Sequence, residues 1–287
     1  MKYLILLEFM DKVTNYLDKG YLIDIIYTDF SKAFDKVSHV KLLAKLKSYG
    51  IIGETYEWIK SFLLGRKQRV VLGDVMSNWE PVSSGVPQGS VLGPILFIIF
   101  INDLLEMLQF TTLSYADDLK LIGIMSKNTL GTESLQNDLN VLVDWCKEWS
   151  TELNLSKCKS MYIGKNREKK EYRITSHLGE TTVLSETTCE KDLGVIITND
   201  LKWNKQCVSA SARANRDLGQ IKSSFTYLSK ETIIPLYTAL VRPHLEYAVS
   251  SWSPHTKSNI KILERVQKRA TKLVKTIREK PYEQRLK

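Results

Sequence analysis

Three acidic residues pose the first chemical question. Asp29 closes the apolar run "YLIDIIYTDF", and Asp117 and Asp118 stand side by side in "LSYADDLKL". Charged side chains are rarely buried unless they are paired or bind metal. If both segments are strands of one sheet, the three carboxylates can meet at a common end. Strand side chains alternate faces, so Asp117 and Asp118 point the same way only if a hairpin turn falls between them. Clustered carboxylates repel one another and raise each other's pKa. A divalent cation removes that conflict, and oxygen-only ligands select a hard ion such as magnesium or manganese. Two such ions about 3.5–4 Å apart activate an attacking hydroxyl and stabilise a leaving phosphate oxygen. Taken singly, each Asp is equally a turn residue with a solvated carboxylate. Spacing alone does not join residue 29 to residue 117.

The elements that would have to position these acids are legible from periodicity. Leu6, Leu7, Met10, Val13 and Leu17 fall at helical spacing over residues 5–17, with Gly20 behind them. Residues 21–30 are rich in Ile and Tyr and read as a buried strand ending near Asp29. "SHVKLLAKLKSYG" predicts a helix that starts at Ser38 or His39 and stops at Gly50. A second helix runs through Trp58, Ile59, Phe62 and Leu63. "RVVLGDVMSNWE" predicts a strand pair or hairpin, and "SSGVPQGSVLGP" a loop punctuated by Gly and Pro. The apolar segment 94–105 predicts a buried helix. The Asp117–Asp118 stretch predicts a hairpin with arms Leu113–Ala116 and Leu119–Ile124. An amphipathic helix is expected over about 130–150, then short strands at "SMYIG" and "DLGVIIT". From residue 205 onward the pattern is helical. In "SNIKILERVQKRATKLVKTI", Ile262, Leu263, Val266, Ala270, Leu273, Val274 and Ile277 make one face. Lys261, Arg265, Lys268, Lys272 and Lys275 make a cationic stripe on another. The fold class is α+β.

Composition narrows the classes of function. The 287 residues carry a net charge of +9, and 43% are hydrophobic, as in ordinary globular chains. Residues 201–287 hold 18 Lys and Arg against 6 Asp and Glu, which leaves 23 against 26 in residues 1–200. The basic excess of the last third points to a polyanionic partner. Cys146, Cys158, Cys189 and Cys207 form no C-x-x-C pair and the His residues are scattered, which argues against zinc and for a reduced, intracellular protein. The apolar run of "MKYLILLEF" ends at Glu8, too short for a secretory signal, and "PILFIIFI" is too short for a membrane span. A soluble chain that is not secreted and does not enter a membrane is expected, nuclear or cytoplasmic or both.

The ordered set of "YTDFSKAFDKVSH", "SSGVPQGSVLGPILF" and "YADD" resembles the central motifs of reverse transcriptases. The likeness is to those of non-LTR (LINE-type) retrotransposons of the jockey and chicken-repeat kind. "NLSKCKSMYIG", "EKDLGVIIT" and "LYTALVRPHLEYAVSSWSP" extend it over essentially the whole chain. The resemblance implies a right-hand polymerase. Its palm, an antiparallel sheet with helices on one face, would occupy residues 1–200, and a helical basic thumb residues 201–287. The implied reaction is RNA-directed DNA synthesis, in which a primer 3′-hydroxyl attacks the α-phosphate of a deoxynucleoside triphosphate and pyrophosphate leaves. Template RNA, a DNA primer and two magnesium (or manganese) ions are the implied partners.

The resemblance also implies roles. Asp29 and Asp117 would be the principal metal ligands, Asp118 a supporting carboxylate, and the backbone carbonyl of Phe30 an assisting ligand. Phe34 would stack under the sugar and exclude a 2′-hydroxyl; without its motif it reads as a core Phe. Gln88 and Gly89 would support the incoming nucleotide and the template base, where the plain alternative is a Pro-Gln-Gly turn. Gly85, Gly89 and Gly93 would permit close backbone approach. Lys157, with Asn154, matches the family's Asn-x-x-Lys pattern and would act as general acid toward pyrophosphate; a solvated lysine is equally compatible. Arg66, Lys67 and Arg69 would touch template phosphates, or form an exposed basic loop. "KDLGV" at 191–195 falls where the family places its primer grip. Lys261, Arg265, Lys268, Lys272 and Lys275 would track a duplex backbone without reading sequence.

One departure stands out. Only 28 residues precede Asp29, where intact family members carry a fingers region, and no endonuclease is present. Both parts are expected in a full-length element. Two alternatives to an active polymerase follow, a non-catalytic remnant that binds nucleic acid and a maturase-like splicing factor.

Overall fold

The computed structural model describes residues 2–125, 132–164, 169–175 and 179–286, the side chains of residues 132–134 apart. Internal contacts divide the chain into two units, residues 16–187 and residues 1–15 with 188–287. Helix α1 (Lys2–Asp18) begins the second of these and buries Leu6, Phe9, Met10 and Val13, a single helical face.

The larger unit is built on β1 (Leu22–Asp29), whose Ile-rich sequence suits a strand covered on both faces. Ser38 caps α2 (His39–Ser48), its hydroxyl accepting from Lys41 N, and Lys45 and Lys47 sit in the last turn where the helix dipole favours cations. After α3 (Gly53–Leu63) the chain runs out as an exposed double ribbon. Its strands are β2 (Lys67–Gln68), β3 (Val71–Leu72), β4 (Val75–Met76) and β5 (Glu80–Pro81), with β3 paired to β4 and β2 to β5. The apolar α4 (Leu92–Met107) follows, then β6 (Thr111–Tyr115), β7 (Asp118–Met125) and α5 (Thr132–Trp149). Residues 130 and 131 of the helix expected over 130–150 lie outside the described residues. The unit ends with β8 (Lys159–Ile163), β9 (Arg173–Thr175), β10 (Thr181–Val183) and β11 (Ser185–Glu186).

Five strands form one sheet in the order β11-β8-β1-β7-β6. β8, β1, β7 and β6 are antiparallel neighbours, and β11 adds to β8 in parallel as a short edge. Ile26 and Phe30 of one sheet face share a core with Leu42, Leu46, Ile59, Phe97, Phe100 and Trp145 of the helices. By strand alternation Ile23, Ile25 and Asp29 belong to the opposite face. Asp24, buried in mid-strand, accepts a hydrogen bond from the Tyr172 hydroxyl at 2.5 Å, which offsets the cost of burying its carboxylate. Among the described residues no helix is long and apolar enough to cross a membrane.

The other unit contains β12 (Cys189–Asp192) and β13 (Val195–Thr198), then α6 (Asn204–Ser224) and α7 (Lys230–Leu236). A π-helical turn at Tyr237–Val241 follows Pro235 and leads through α8 (Arg242–Glu246) and α9 (Val249–Trp252) to α10 (Lys257–Thr271). A 3-10 turn at Lys275–Ile277 and α11 (Tyr282–Arg285) end it. The boundary expected near residue 200 falls inside this unit, just after β13.

Three local expectations need correcting. The acidic hairpin turns at Ala116 and Asp117, so β6 ends at Tyr115 and β7 begins at Asp118. "DLGVIIT" is not one strand but the turn and second arm of the β12–β13 hairpin, with Leu193 and Gly194 both at positive φ. The cationic stripe does not lie on one helix. α10 stops at Thr271, Lys272 is its cap and Lys275 opens the 3-10 turn. The reason is burial, since Val274 leaves the helical path to join Leu218 and Ile221 in one apolar cluster.

Candidate active site

The acidic site forms where β1 ends against the β6–β7 hairpin. Asp29, the last residue of β1, lies directly opposite Asp118, the first residue of β7. Directly opposed residues of an antiparallel pair project to the same side. Both carboxylates therefore belong to the face away from the helical core. Asp117 is the second turn residue, half-buried, and Asp118 is exposed. Ala116 takes φ +53°. A left-handed alanine is strained, and such strain is held only where the surroundings fix it. Next to the acids, the Thr28 hydroxyl donates to Leu119 O at 2.9 Å and ties β1 to β7.

A strap over the end of β1 completes the site. Ser31 N donates to Glu152 O and Asn154 N donates to Asp29 O, each at 2.7 Å. These bonds flank the antiparallel bridge between Phe30 and Leu153, so the Phe30 carbonyl takes no part in it. The chain then reverses, Lys157 N donating to Asn154 O at 2.9 Å, while the Ser156 hydroxyl donates to Asn154 Oδ1 at 2.7 Å. That turn gives the Asn-x-x-Lys spacing its physical meaning, because it returns Lys157 to β1. The Lys157 ammonium stands 3.0 Å from Asp29 Oδ2, with side-chain exposures of 63% and 23%. Cys158 is buried beside Asp29, and burial pushes its thiol up to about 11.

A second cluster supports the loop after β5. Phe34 stacks on Phe97 with centroids 4.6 Å apart. Gln88 Nε2 donates to Asp35 Oδ1 at 3.0 Å. Val86 N donates to Phe34 O, Gly85 N to Val37 O, and the Ser84 hydroxyl to Asp35 O. His39 Nε2 is 2.7 Å from Gly85 O in a buried contact. Gly85, at φ +88°, has no room for a side chain, since a Cβ would stand 2.9 Å from Asp35 Cα and Asp35 O. Gly89 is at φ +82° with nothing near it. Sequence reasoning missed Asp35 and His39, both inside "YTDFSKAFDKVSH"; the signal was a His and an Asp flanking a helix start, each placed to hold the following loop.

The structure therefore joins Asp29, Asp118 and Lys157, and separately Phe34 and Gln88 through the residue between them. Arg66, Lys67 and Arg69 lie on the ribbon, where the Arg69 guanidinium stacks on Trp79 at 4.6 Å. Lys261, Arg265 and Lys268 lie exposed on α10, and the Lys268 ammonium is 4.8 Å from the Tyr282 ring. The 191–195 segment is a tight turn, held by the Tyr247 hydroxyl donating to Leu193 O at 2.8 Å.

The acids fit a hard divalent ion in kind, being oxygen donors opposed on one face. Among the described residues no group of three or more His, Cys, Asp and Glu side chains already converges as a metal site. The Lys157 ammonium, on Asp29 Oδ2, stands beside the same carboxylate.

Comparison with known proteins follows the same lines. The sequence matches the family described as "Reverse transcriptase (RNA-dependent DNA polymerase)" over residues 12–228. It is 29% identical over 272 residues to the RNA-directed DNA polymerase from mobile element jockey of Drosophila funebris, covering 88% of this chain and 29% of that protein. It is 27% identical over 276 residues to the probable RNA-directed DNA polymerase from transposon BS of Drosophila melanogaster, covering 90% of this chain and 29% of that one. The chain thus spans under a third of the length of these relatives. Among solved structures, apo telomerase from Candida tropicalis superposes with a TM-score of 0.52 at 12% identity, covering 94% of this chain and 46% of that one. Telomerase from Candida albicans, in complex with a telomeric RNA fragment, gives 0.50 at 11% identity, covering 95% of this chain and 52% of that one.

Proposed function

The chain belongs to the reverse transcriptase family, and we propose that it is the palm and thumb portion of a non-LTR retrotransposon polymerase that extends a DNA primer on an RNA template. The observation that carries this reading is the cross-strand pair of Asp29 and Asp118 at the end of β1, with Lys157 held on Asp29. The family generally uses divalent metal ions. Here Asp29 and Asp117 would hold two magnesium or manganese ions, helped by Asp118 and the Phe30 carbonyl. Bound ions would supply an activated primer hydroxyl and charge neutralisation for the leaving pyrophosphate.

The chain's own residues do the rest. Phe34, braced by Phe97, offers a fixed edge beneath the sugar of a deoxynucleoside triphosphate. Asp35 holds the Gln88 amide so that the loop reaches the nucleotide in one conformation, and Gly89 lets backbone come close. Once released from Asp29, Lys157 is placed to give a proton to pyrophosphate. Arg66, Lys67 and Arg69 face template phosphates, and the C-terminal cations hold the product duplex. Fingers and endonuclease parts belong to the full-length element, and the work is intracellular.

A second reading has one observation in its favour. Asp29 is already paired with Lys157, which suits nucleic-acid binding without catalysis. Primer extension on poly(rA)/oligo(dT) with magnesium separates the two. The polymerase reading expects product from the wild-type chain and none from Asp117→Ala. No product from the wild type, or equal product from both, removes it.

A further inference from the structure

The C-terminal unit contains a groove that the cationic stripe of the sequence does not describe. It lies between the second half of α6 and the end of α10, with a cavity of about 510 Å³. Lys222, Arg269, Lys272, Lys275 and Arg278 line it, and no Asp or Glu does. Of the stripe, only Lys272 and Lys275 take part; Lys261, Arg265 and Lys268 do not reach it. The floor is apolar, with Leu218 and Leu228 buried, and Phe225 stands in the lining 41% exposed.

The charges of this groove are left uncompensated. Among the described residues Lys222, Lys272 and Lys275 have no carboxylate partner. Arg269 Nη1 donates to Asn215 Oδ1 at 3.0 Å, a neutral acceptor that leaves its charge uncompensated. Arg278 has only a loose, exposed pairing with Glu279 at 3.9 Å. Acids elsewhere in the unit are engaged by other side chains, Asp217 by the His244 ring and Glu246 by Arg242, each at 2.6 Å. Five like charges around a concavity raise a positive potential that an anion relieves.

We propose that this groove holds an unpaired nucleotide of a nucleic-acid strand, its phosphates on the cations and its base against Phe225. The inference rests on the reading that the chain handles nucleic acid, and it adds a single-strand site to the duplex track. A paired base is locked in its stack and cannot enter a concavity, whereas a charged groove with an exposed aromatic is the physical design of single-strand sites. Free phosphate would use the cations but leave Phe225 and the leucine floor idle.

The test uses the full chain and the fluorescence anisotropy of a labelled oligo(dT). Unlabelled single strand is expected to compete at least about tenfold better than a blunt duplex of equal length or inorganic tripolyphosphate. Phe225→Ala is expected to weaken binding about tenfold with the salt dependence unchanged, and Phe225→Trp to retain it. Lys222→Gln with Arg278→Gln should reduce the log–log salt slope by about 1.4, two phosphate contacts' worth for a single strand. Thermal melting by circular dichroism checks that each variant folds. Unchanged binding by folded Phe225→Ala, duplex preferred over single strand, or tripolyphosphate competing equally would each overturn the proposal. The readout needs no catalysis. Absent primer extension with single-strand binding intact removes the polymerase reading alone, and normal extension with Phe225→Ala binding unchanged removes the groove alone.

Discussion

The ammonium of Lys157 lies 3.0 Å from Asp29 Oδ2, on the carboxylate that ends the central strand. The two are brought together by backbone bonds, Asn154 N to Asp29 O and Lys157 N to Asn154 O. Lysine placement is therefore independent of the ion pair. An ion pair this exposed contributes about 0–1 kcal/mol to stability. Its value is positional. Lys157→Met should leave the melting temperature within about 2 °C of wild type. It should lower the single-turnover extension rate about 10²-fold, the loss expected when a general acid is removed. Lys157→Arg should restore the pairing but not the rate. A Lys157→Met chain that extends primers at the wild-type rate would show the lysine to be only a counter-ion.

Asp117 and Asp118 are adjacent but not equivalent. The turn holds Asp117 at the hairpin tip, while Asp118 opens β7 and is exposed. If Asp29 and Asp117 carry the ions, Asp29→Asn and Asp117→Asn should each lower extension by about 10³-fold, the upper range for losing one pre-organised electrostatic group. Asp118→Asn should keep measurable activity. Magnesium titrations of the three variants decide this. Asp118→Asn proving the most damaged would assign the ion to the Asp29–Asp118 pair instead.

The loop that presents Gln88 depends on glycine for two different reasons. At Gly85 both the positive φ and the contact with Asp35 backbone forbid a side chain. At Gly89 only the φ does. Gly89→Ala should cost about 1 kcal/mol in urea unfolding. Gly85→Ala should cost about 3 kcal/mol or more, because backbone on both sides must shift as well. Similar costs for the two would mean that the backbone at Phe34 and Asp35 yields easily.

Much of this architecture is legible in the sequence, and the failures share a cause. β1, the Ser38 cap and the buried α4 follow from local pattern. The acidic hairpin does too, but its turn lies one residue earlier than expected, because the left-handed position is an alanine, which advertises no turn, and the two acids beside it do. Leu193 misleads in the same way, a leucine at φ +45° inside an apolar run. Helix α10 ends where Val274 is drawn to Leu218 and Ile221, and that contact cannot be read from the heptad-like spacing of its cations. The pairing of Lys157 with Asp29 depends on a bridge between Phe30 and Leu153, far apart in the chain. Motif order placed both residues at one site, but only the register shows which acid faces which.

The same unit contains a buried cation whose energetics can be tested by pH. The Lys45 side chain is 4% exposed. Its ammonium donates to Phe100 O at 2.5 Å and Asp103 Oδ1 at 2.6 Å and stands 3.4 Å from the Trp149 ring. Burial lowers its pKa from the usual 10.5, against the raising influence of Asp103 and Glu148. Between the folded value and 10.5 the unfolded chain binds more protons than the native one, so this group makes stability rise with pH across that window. Below it, the cost of the buried charge is carried in full. Lys45→Met removes the dependence, so the wild type should gain on Lys45→Met between about pH 7 and about pH 10. At neutral pH, Asp103→Ala should cost about 3 kcal/mol, because it strands the ammonium with one neutral acceptor. The double change Lys45→Met with Asp103→Leu should recover most of that loss, since a well-packed apolar pair replaces a buried ion pair at little cost. Urea unfolding of the four chains at both pH values measures each quantity, and a wild type that loses ground to Lys45→Met as pH rises would show that Asp103 outweighs burial.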